Sequence, residues 1–176
     1  HNKLELKLRG IPVSEGVSRG RVIVLNRSRI VPAKATFETA NPEAEEARFR
    51  SALKDTRQEI LEVQKRLHDE IGAKESLIFD AHLLVLEDPV VIEEVSRKIR
   101  DEHVSSEYAL YTASEKYAEA LNSVDDSYLS ERAADIRDVI QRVLENLMGH
   151  PQRVGLNDLT EPCIVVANDL TPSDTA

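Results

Sequence analysis

DDSYLSERAADIRDVIQRVLENLMG, residues 125–149, carries the start and stop signals of one helix. Asp125 and Asp126 suit the positive N-terminal end of a helix, and Gly149 can adopt the left-handed conformation that ends one. The spacing of apolar side chains by four and three residues predicts that one side of the helix is buried against other helices. The apolar positions are Leu129, Ala133, Ile136, Ile140, Val143 and Leu147.

Two polar pairs lie beside this buried side of the helix. Tyr128 and Arg132 are four residues apart, and so are Asp138 and Arg142. Taken alone, Arg132 is most simply explained by an exposed ion pair with an acidic neighbour such as Asp135. A docking site is the alternative for this arginine. The same spacing predicts an ordinary ion pair between Asp138 and Arg142 on a solvated face.

Other helices precede this one within residues 42–149. We expect them to begin near Pro42, Pro89 and Ser106, where a capping side chain or a proline marks a first turn. A further helix over residues 75–88 is apolar on nearly all sides, which predicts deep burial or a second apolar face. Short connections between such helices indicate an antiparallel bundle.

The two ends of the chain have a different character from the bundle. Residues 4–9 alternate like a half-buried strand, and residues 21–25 and 163–167 are short apolar runs typical of strands. Neither end could form a stable sheet alone, so the bundle is interpreted as an insertion between two pieces of one α/β domain. The predicted fold is therefore mostly α with a small α/β part. The predicted divisions are residues 1–30, 31–149 and 150–176.

Composition excludes several classes of function. The net charge of −9 argues against nucleic acid, whose phosphates need a basic surface, and favours a basic protein partner. The single cysteine, Cys163, permits no intrachain disulfide, so a cytoplasmic location is expected. No apolar run reaches membrane-spanning length, and we expect no membrane partner. The glycine-rich phosphate loops and hydrolase motifs of classical enzymes are also absent.

His82 is the histidine with the most unusual surroundings, because it stands on the apolar stretch 75–88. The simpler interpretation is a partly buried histidine satisfied by a neighbour, and the alternative is a contact on an exposed docking face. No histidine of the bundle follows a glutamate by three residues, so the ligand set of a di-metal bundle is absent. We expect no metal site in this chain.

Four stretches together resemble one family. GIPVSEGVSRGRVIVL, IFDAHLLVLEDP, YLSERAADIRDV and VVANDLTPSDTA occur in this order, at residues 10–25, 78–89, 128–139 and 165–176. They are similar to the N-terminal part of enzyme I of the bacterial phosphotransferase system, the phosphoenolpyruvate–protein phosphotransferases. The resemblance covers nearly the whole chain, and its last two stretches are the most specific.

The resemblance implies a helical subdomain that docks the phosphocarrier protein HPr and is inserted into a swivelling α/β subdomain. That α/β subdomain carries a histidine phosphorylated from phosphoenolpyruvate. A separate C-terminal barrel binds phosphoenolpyruvate and Mg²⁺ and forms a homodimer.

The phosphorylated histidine implied by the resemblance stands in a Gly-Gly-x-Thr-Ser-His motif, which does not occur here. By the resemblance that histidine lies beyond Ala176, so no catalytic residue is assigned within this chain. Thr175 is expected to lie near it. We therefore expect an incomplete α/β subdomain and a chain unable to transfer phosphate by itself.

The resemblance also implies which residues dock HPr. They are His82, Val85, Val91, Leu121, Tyr128 and Arg132. One departure is that Ala73 and Lys74 stand where the family's docking helix often begins with acidic residues. Two alternatives remain open: a paralogue from a nitrogen-related or fused multiphosphoryl system, and a helical adaptor with no role in phosphotransfer.

Overall fold

The computed structural model describes residues 6–25, 29–36, 41–149 and 156–176, and the structural statements below concern these residues. The fold is mostly helical with a small parallel sheet, as predicted. In chain order the elements are β1 (Arg21–Leu25), α1 (Pro42–Glu70), α2 (Ala73–Ser76), α3 (Ile78–Glu87), α4 (Pro89–Glu102), α5 (Ser106–Asn122), α6 (Ser127–Leu147), a 3₁₀ turn (Leu156–Asp158), β2 (Cys163–Ala167) and α7 (Pro172–Thr175).

Side-chain caps fix the starts of the main helices. The Asp126 carboxylate accepts hydrogen bonds from the backbone N–H groups of Tyr128 and Leu129, at 2.8 and 3.1 Å. Asn41 caps α1 and Asp88 caps α4 in the same way, each followed by proline. Such caps each stabilise a helix by ~1 kcal/mol, which explains why the predicted starts are confirmed.

The helix predicted over residues 75–88 is divided in the structure. Gly72, with φ of 127°, separates α1 from α2, and Leu77 separates α2 from α3. The Leu77 N–H donates to the carbonyl of Lys74, and the Asp80 N–H donates to the carbonyl of Leu77. These hydrogen bonds, each spanning three residues, tighten the turn between α2 and α3.

The core of the molecule lies inside the bundle, where α6 packs against α5, α1 and α3. Ala133, Ile140 and Val143 of the predicted apolar side are buried, and Leu129, Ile136 and Leu147 are half-buried. Alanines on both α5 and α6 let these two helices approach closely. The apolar side of α6 is therefore confirmed as the face that holds the bundle together.

The two ends of the chain meet in the sheet. β1 pairs with β2 in parallel, with Arg21 opposite Cys163 and Leu25 opposite Ala167. The pieces before and after the bundle therefore belong to one structural unit, in the way that an insertion requires, while the three domain boundaries stay a prediction. The strand predicted at residues 4–9 is wrong for its described part: residues 6–9 form no strand, and Leu6 is 81% exposed.

The segment between β1 and α1 is held in part against the bundle. In the described part, the Ile30 N–H donates to the Gln141 side chain, whose amide donates back to the Ile30 carbonyl, at 2.8 and 2.9 Å. The Ser105 N–H donates to the carbonyl of Ala35. Within the described residues, no helix combines the length and apolar character needed to cross a membrane.

Candidate docking face and buried cluster

One end of the bundle gathers the predicted docking residues. α3 ends where α4 begins, at Asp88, and α5 runs antiparallel to α6, so the end of α5 lies beside the start of α6. The Tyr117 hydroxyl donates to Glu94 at 3.1 Å, which fixes the start of α4 against the end of α5. The predicted residues on these segments, at one end of the molecule, are Val85, Val91, Leu121, Tyr128 and Arg132.

The apolar surface of this end is formed chiefly by residues that the sequence pattern did not single out. Val85 and Val91 are half-buried and pack against the core, whereas Leu84 is 67% exposed and Val90 is 59% exposed. Each exposed residue immediately precedes the predicted one. The helical period explains why Leu84 is exposed. Phe79 and Leu86 lie on the buried side of α3, and Leu84 lies on the opposite side.

Acidic and apolar groups surround these two side chains. Exposed carboxylates on the same helices or their connections are Asp80, Glu87, Asp125 and Glu131. Leu121 is half-buried and Tyr128 is 59% exposed. We define the docking face as Leu84, Val85, Val90, Val91, Leu121, Tyr128 and Arg132. It is an apolar surface with a mostly acidic rim, in which Arg97 and Lys116 lie beside Val90, and this is the pattern of a polar-rimmed protein interface.

Arg132 is held on this face by Tyr128 rather than by an acidic neighbour. Its Nε and Nη2 atoms donate to the Tyr128 hydroxyl at 3.1 and 2.9 Å. The guanidinium carbon lies 5.1 Å from the centre of the tyrosine ring. Asp135, the expected ion partner, instead approaches His82. Both hydrogen bonds go to one neutral oxygen, so the remaining N–H groups of Arg132 can serve an anionic acceptor.

His82 is completely buried, which corrects the prediction that it contacts a partner directly. Its ring packs edge-on against Phe79, with centroids 5.2 Å apart. The Nε2 atom lies 3.5 Å from Oδ1 of Asp135 and 3.9 Å from Oδ2 of Asp138. A side chain without accessible surface cannot touch a docked protein. Of the two interpretations of His82, the structure therefore favours a buried histidine with neighbouring polar groups.

Burial governs the ionisation of His82. Loss of hydration lowers the pKa of the imidazole, and the nearby carboxylates of Asp138 and Asp135 oppose that shift without reversing it. Arg142 adds a smaller effect in the lowering direction. His82 is therefore neutral around pH 7, and its Nε2–H can point toward the two carboxylates.

Asp138 and Arg142 are also buried, so the solvated face predicted for them is wrong. They are 4% and 8% exposed because α7 packs over this part of α6. The Arg142 Nε donates to the Ser173 hydroxyl at 2.6 Å, and the Ser173 N–H donates to Oδ2 of Asp138 at 3.2 Å. We call His82, Asp135, Asp138, Arg142 and Ser173 the buried cluster.

Thr175 lies on α7, next to this cluster, and is exposed. The Asp174 carboxylate accepts from both the N–H and the hydroxyl of Thr171, at 3.0 Å, and so caps the short helix. A cleft of ≈ 460 Å³ opens between α6 and the residues after β2, lined among others by Arg137 and Gln141. Its charged lining consists of two arginines and four carboxylates.

Ala176, beyond which the resemblance places the phosphorylated histidine, has a packing role in the structure. It is half-buried against the hydrophobic core, and its N–H donates to the Pro172 carbonyl at 3.0 Å. Its methyl side chain has no acid, base or nucleophile to offer, and no catalytic role is assigned to it. The place of the phosphorylated histidine itself stays a prediction.

No metal site is formed by the described part of the chain. There, no group of three metal-ligating side chains comes together. The Mg²⁺ implied by the resemblance consequently has no fitting ligand set among these residues.

Known families and proteins resemble this chain in both sequence and structure. The family model described as PEP-utilising enzyme, N-terminal, matches residues 9–132. The chain is 36% identical over 173 residues to the phosphoenolpyruvate-protein phosphotransferase of Staphylococcus carnosus, covering 97% of this chain and 29% of the relative. Its identity to the Priestia megaterium protein of the same name is also 36%, again over 29% of that protein. The chain thus spans less than a third of the length of these curated relatives.

Solved structures agree with the sequence relatives. An NMR solution structure of Enzyme I (nEIt) has a TM-score of 0.74 and 38% identity, covering 88% of this chain and 62% of that one. The N-terminal domain of Enzyme 1 - Nitrogen has a TM-score of 0.65 and 26% identity, with the same coverage. Because the family match extends over more than half of its residues, the chain belongs to the family of PEP-utilising enzymes and corresponds to their N-terminal part.

Proposed function

We propose that this chain is the N-terminal part of an enzyme I that passes phosphate from phosphoenolpyruvate to HPr for sugar uptake. In this proposal the helical bundle is the part that binds HPr. The observation that carries it is the docking face, where Leu84 and Val90 are exposed on consecutive helices with acidic residues nearby, in a chain whose relatives are phosphoenolpyruvate–protein phosphotransferases.

Complementarity supports HPr as the partner. By the resemblance, HPr presents an apolar patch with basic surroundings around its own histidine. Leu84 and Val90 supply apolar area to be buried, which stabilises a complex by roughly 25 cal/mol per Å². The acidic rim and the net charge of −9 favour approach of a basic partner. Lys74 at α2 makes one edge of this surface less acidic than in the family.

The chemistry of the whole enzyme would be a phosphoryl relay between histidines. Such a transfer depends on positioning and charge stabilisation more than on a general base. Arg132 is suited to the second task because its guanidinium is oriented by Tyr128 and retains N–H donors for an anion. The phosphorylated histidine is proposed to follow Ala176 in the whole protein. The Mg²⁺, the phosphoenolpyruvate site and the homodimer interface are proposed to belong to a C-terminal barrel.

The nitrogen-branch paralogue is the second candidate. Identity to the nitrogen-branch structure is 26%, against 38% for the other Enzyme I structure, which favours the sugar branch. A fused multiphosphoryl protein shares this N-terminal part and stays open. The family match makes an unrelated adaptor the weakest alternative. We also propose a cytoplasmic location, supported by the single cysteine.

Binding to HPr tests the proposal, with variants on opposite ends of the bundle. Leu84→Asp places a charge in the centre of the docking face, and we expect at least ~10-fold weaker binding by calorimetry. Met148→Asp is the matched control, because Met148 is 49% exposed and follows the far end of α6. We expect the control to bind like the parent chain.

Two results would count against this assignment. The parent chain could show no binding to HPr at all, in which case the bundle has another partner. Alternatively, Met148→Asp could weaken binding as much as Leu84→Asp, in which case the docking face is misplaced. Unfolding curves of both variants show that each is folded, since substitutions at exposed positions usually change stability by less than ~0.5 kcal/mol.

A further inference from the structure

The buried cluster joins three helices through one carboxylate oxygen. Oδ2 of Asp138 lies 3.9 Å from Nε2 of His82 on α3 and accepts the N–H of Ser173 on α7 at 3.2 Å. Asp138 itself is on α6. The same atom therefore stands between the helix that carries the docking face and the short helix that carries Thr175.

Ser173 is held from a second side by Arg142. The Nε of Arg142 donates to the Ser173 hydroxyl at 2.6 Å, and its Nη2 lies 3.5 Å from the Ser173 carbonyl oxygen. The hydroxyl, the carbonyl and the N–H of one residue are thus all directed at α6. A helix of four residues has no stability of its own, so these contacts determine where α7 lies.

His82 completes this arrangement from the core side. The charged groups that act on its imidazole are Asp135, Asp138 and Arg142. From α1, Glu59 lies 3.9 Å from Nη1 of Arg142 and belongs to the same charge network. Nε2 of His82 makes no close hydrogen bond in the described structure, and it lies 3.5 Å from Oδ1 of Asp135 and 3.9 Å from Oδ2 of Asp138. The dipole of an uncharged imidazole with its Nε2–H toward these carboxylates compensates part of the cost of burying them.

We infer that His82 is a positioning residue whose imidazole orients the Asp138 carboxylate and, through it, the first turn of α7. The chain of contacts runs from α3, where Leu84 and Val85 form part of the docking face, through α6 to the segment before Thr175. The inference rests on the proposed function in one respect only. The resemblance places the phosphorylated histidine near Thr175, so the position of α7 matters for phosphate transfer only if that proposal holds. His82 would then align the docking face with that site without touching either partner.

Amide hydrogen exchange at Ser173, measured by NMR on the chain without HPr, tests this inference. His82→Leu removes the donor and fills the site with apolar atoms, whereas His82→Gln places an amide N–H near the position of Nε2. We expect His82→Leu to speed exchange of the Ser173 N–H by about tenfold, the size expected from a weakened hydrogen bond, and His82→Gln to restore most of the protection. Exchange at Leu110, in the core of α5, is expected to stay unchanged in both variants.

A residue that only fills space gives a different result. In that case His82→Leu leaves Ser173 as protected as in the parent chain, or it speeds exchange at Ser173 and Leu110 alike. Equal exchange rates in the leucine and glutamine variants would likewise overturn the inference. If His82→Leu does not fold, His82→Asn replaces it, because the shorter asparagine amide cannot reach Asp138. We expect His82→Asn to speed exchange at Ser173 as described for His82→Leu, and the same results would overturn the inference. HPr is absent from the experiment, so its result is independent of whether the docking proposal holds.

Discussion

Helix α6 carries two arginines with the same local pattern and opposite surroundings. Arg132 follows Tyr128 by four residues on the docking face, and Arg142 follows Asp138 by four residues beneath α7. One guanidinium is partly exposed and bonded to a neutral hydroxyl, while the other is 8% exposed within a cluster of charges. Spacing along a helix therefore shows which side chains lie on the same face, but the elements packed against the helix determine which face is buried.

The largest difference between the two arginines is expected in stability. Arg142→Met removes a buried cation together with its hydrogen bond to the Ser173 hydroxyl and its ion pair with Glu59, so we expect the free energy of unfolding to fall by about 3 kcal/mol. Arg132→Met, the matched change on the same helix, is expected to alter it by less than ~0.5 kcal/mol. Urea unfolding of the two variants measures both values. Equal losses would contradict the distinction between the two sites.

Binding is expected to reverse that order. Arg132→Met removes an oriented cation from the docking face, and we expect HPr binding to weaken by more than ~1 kcal/mol. Arg142→Met, measured where it is folded, should affect binding less because Arg142 is buried away from the partner. Calorimetry with both variants provides the comparison. A near-zero effect of Arg132→Met would return Arg132 to an ordinary surface role.

The change of stability on acidification tests the ionisation state of His82 in the buried cluster. The pKa of His82 is lowered by burial in the folded chain, whereas its unfolded value is about 6.5. The unfolded chain therefore binds the proton first, and the His82 contribution to stability should fall as the pH drops below about 6.5. Unfolding curves of the parent chain and His82→Gln between pH 8 and 5 isolate this contribution. If the histidine instead adds stability on acidification, it is charged within the fold.

The smallest expected effect concerns Tyr128. Tyr128→Phe removes the oxygen that accepts both hydrogen bonds of Arg132 but keeps the ring beside the guanidinium. Stability should change by less than ~0.5 kcal/mol, and HPr binding should weaken by a few-fold, less than for Arg132→Met. Calorimetry and unfolding on the same preparations measure both. An effect on binding as large as that of Arg132→Met would make the tyrosine itself a principal contact.

Local signals were sufficient for much of the fold. The caps at Asn41, Asp88 and Asp126, the apolar side of α6 and the strands at 21–25 and 163–167 could all be predicted, because each depends on residues close together in the chain. The pairing of these strands agrees with the insertion that was predicted from the shared strand-like character of the two ends.

The buried cluster could not be predicted in this way. Burial of Asp138 and Arg142 depends on α7, which reaches them from about thirty residues further along the chain and has no helical signal beyond a capping threonine and a proline. The exposed side of α3 was missed for another reason. The stretch 75–88 is apolar on nearly all sides, so its composition does not show which side is exposed, and only the buried positions of Phe79 and Leu86 place Leu84 on the open side.

Mapping HPr onto this chain by NMR is the most direct test of the central claim, that the exposed end of the bundle binds the carrier. Addition of unlabelled HPr to the labelled chain should shift backbone signals clustered in residues 78–91 and 121–132, with Leu84, Val90 and Arg132 among the largest. Signals of β1 and β2 should stay in place. Shifts confined to the strands, or spread evenly over the bundle, would contradict the claim.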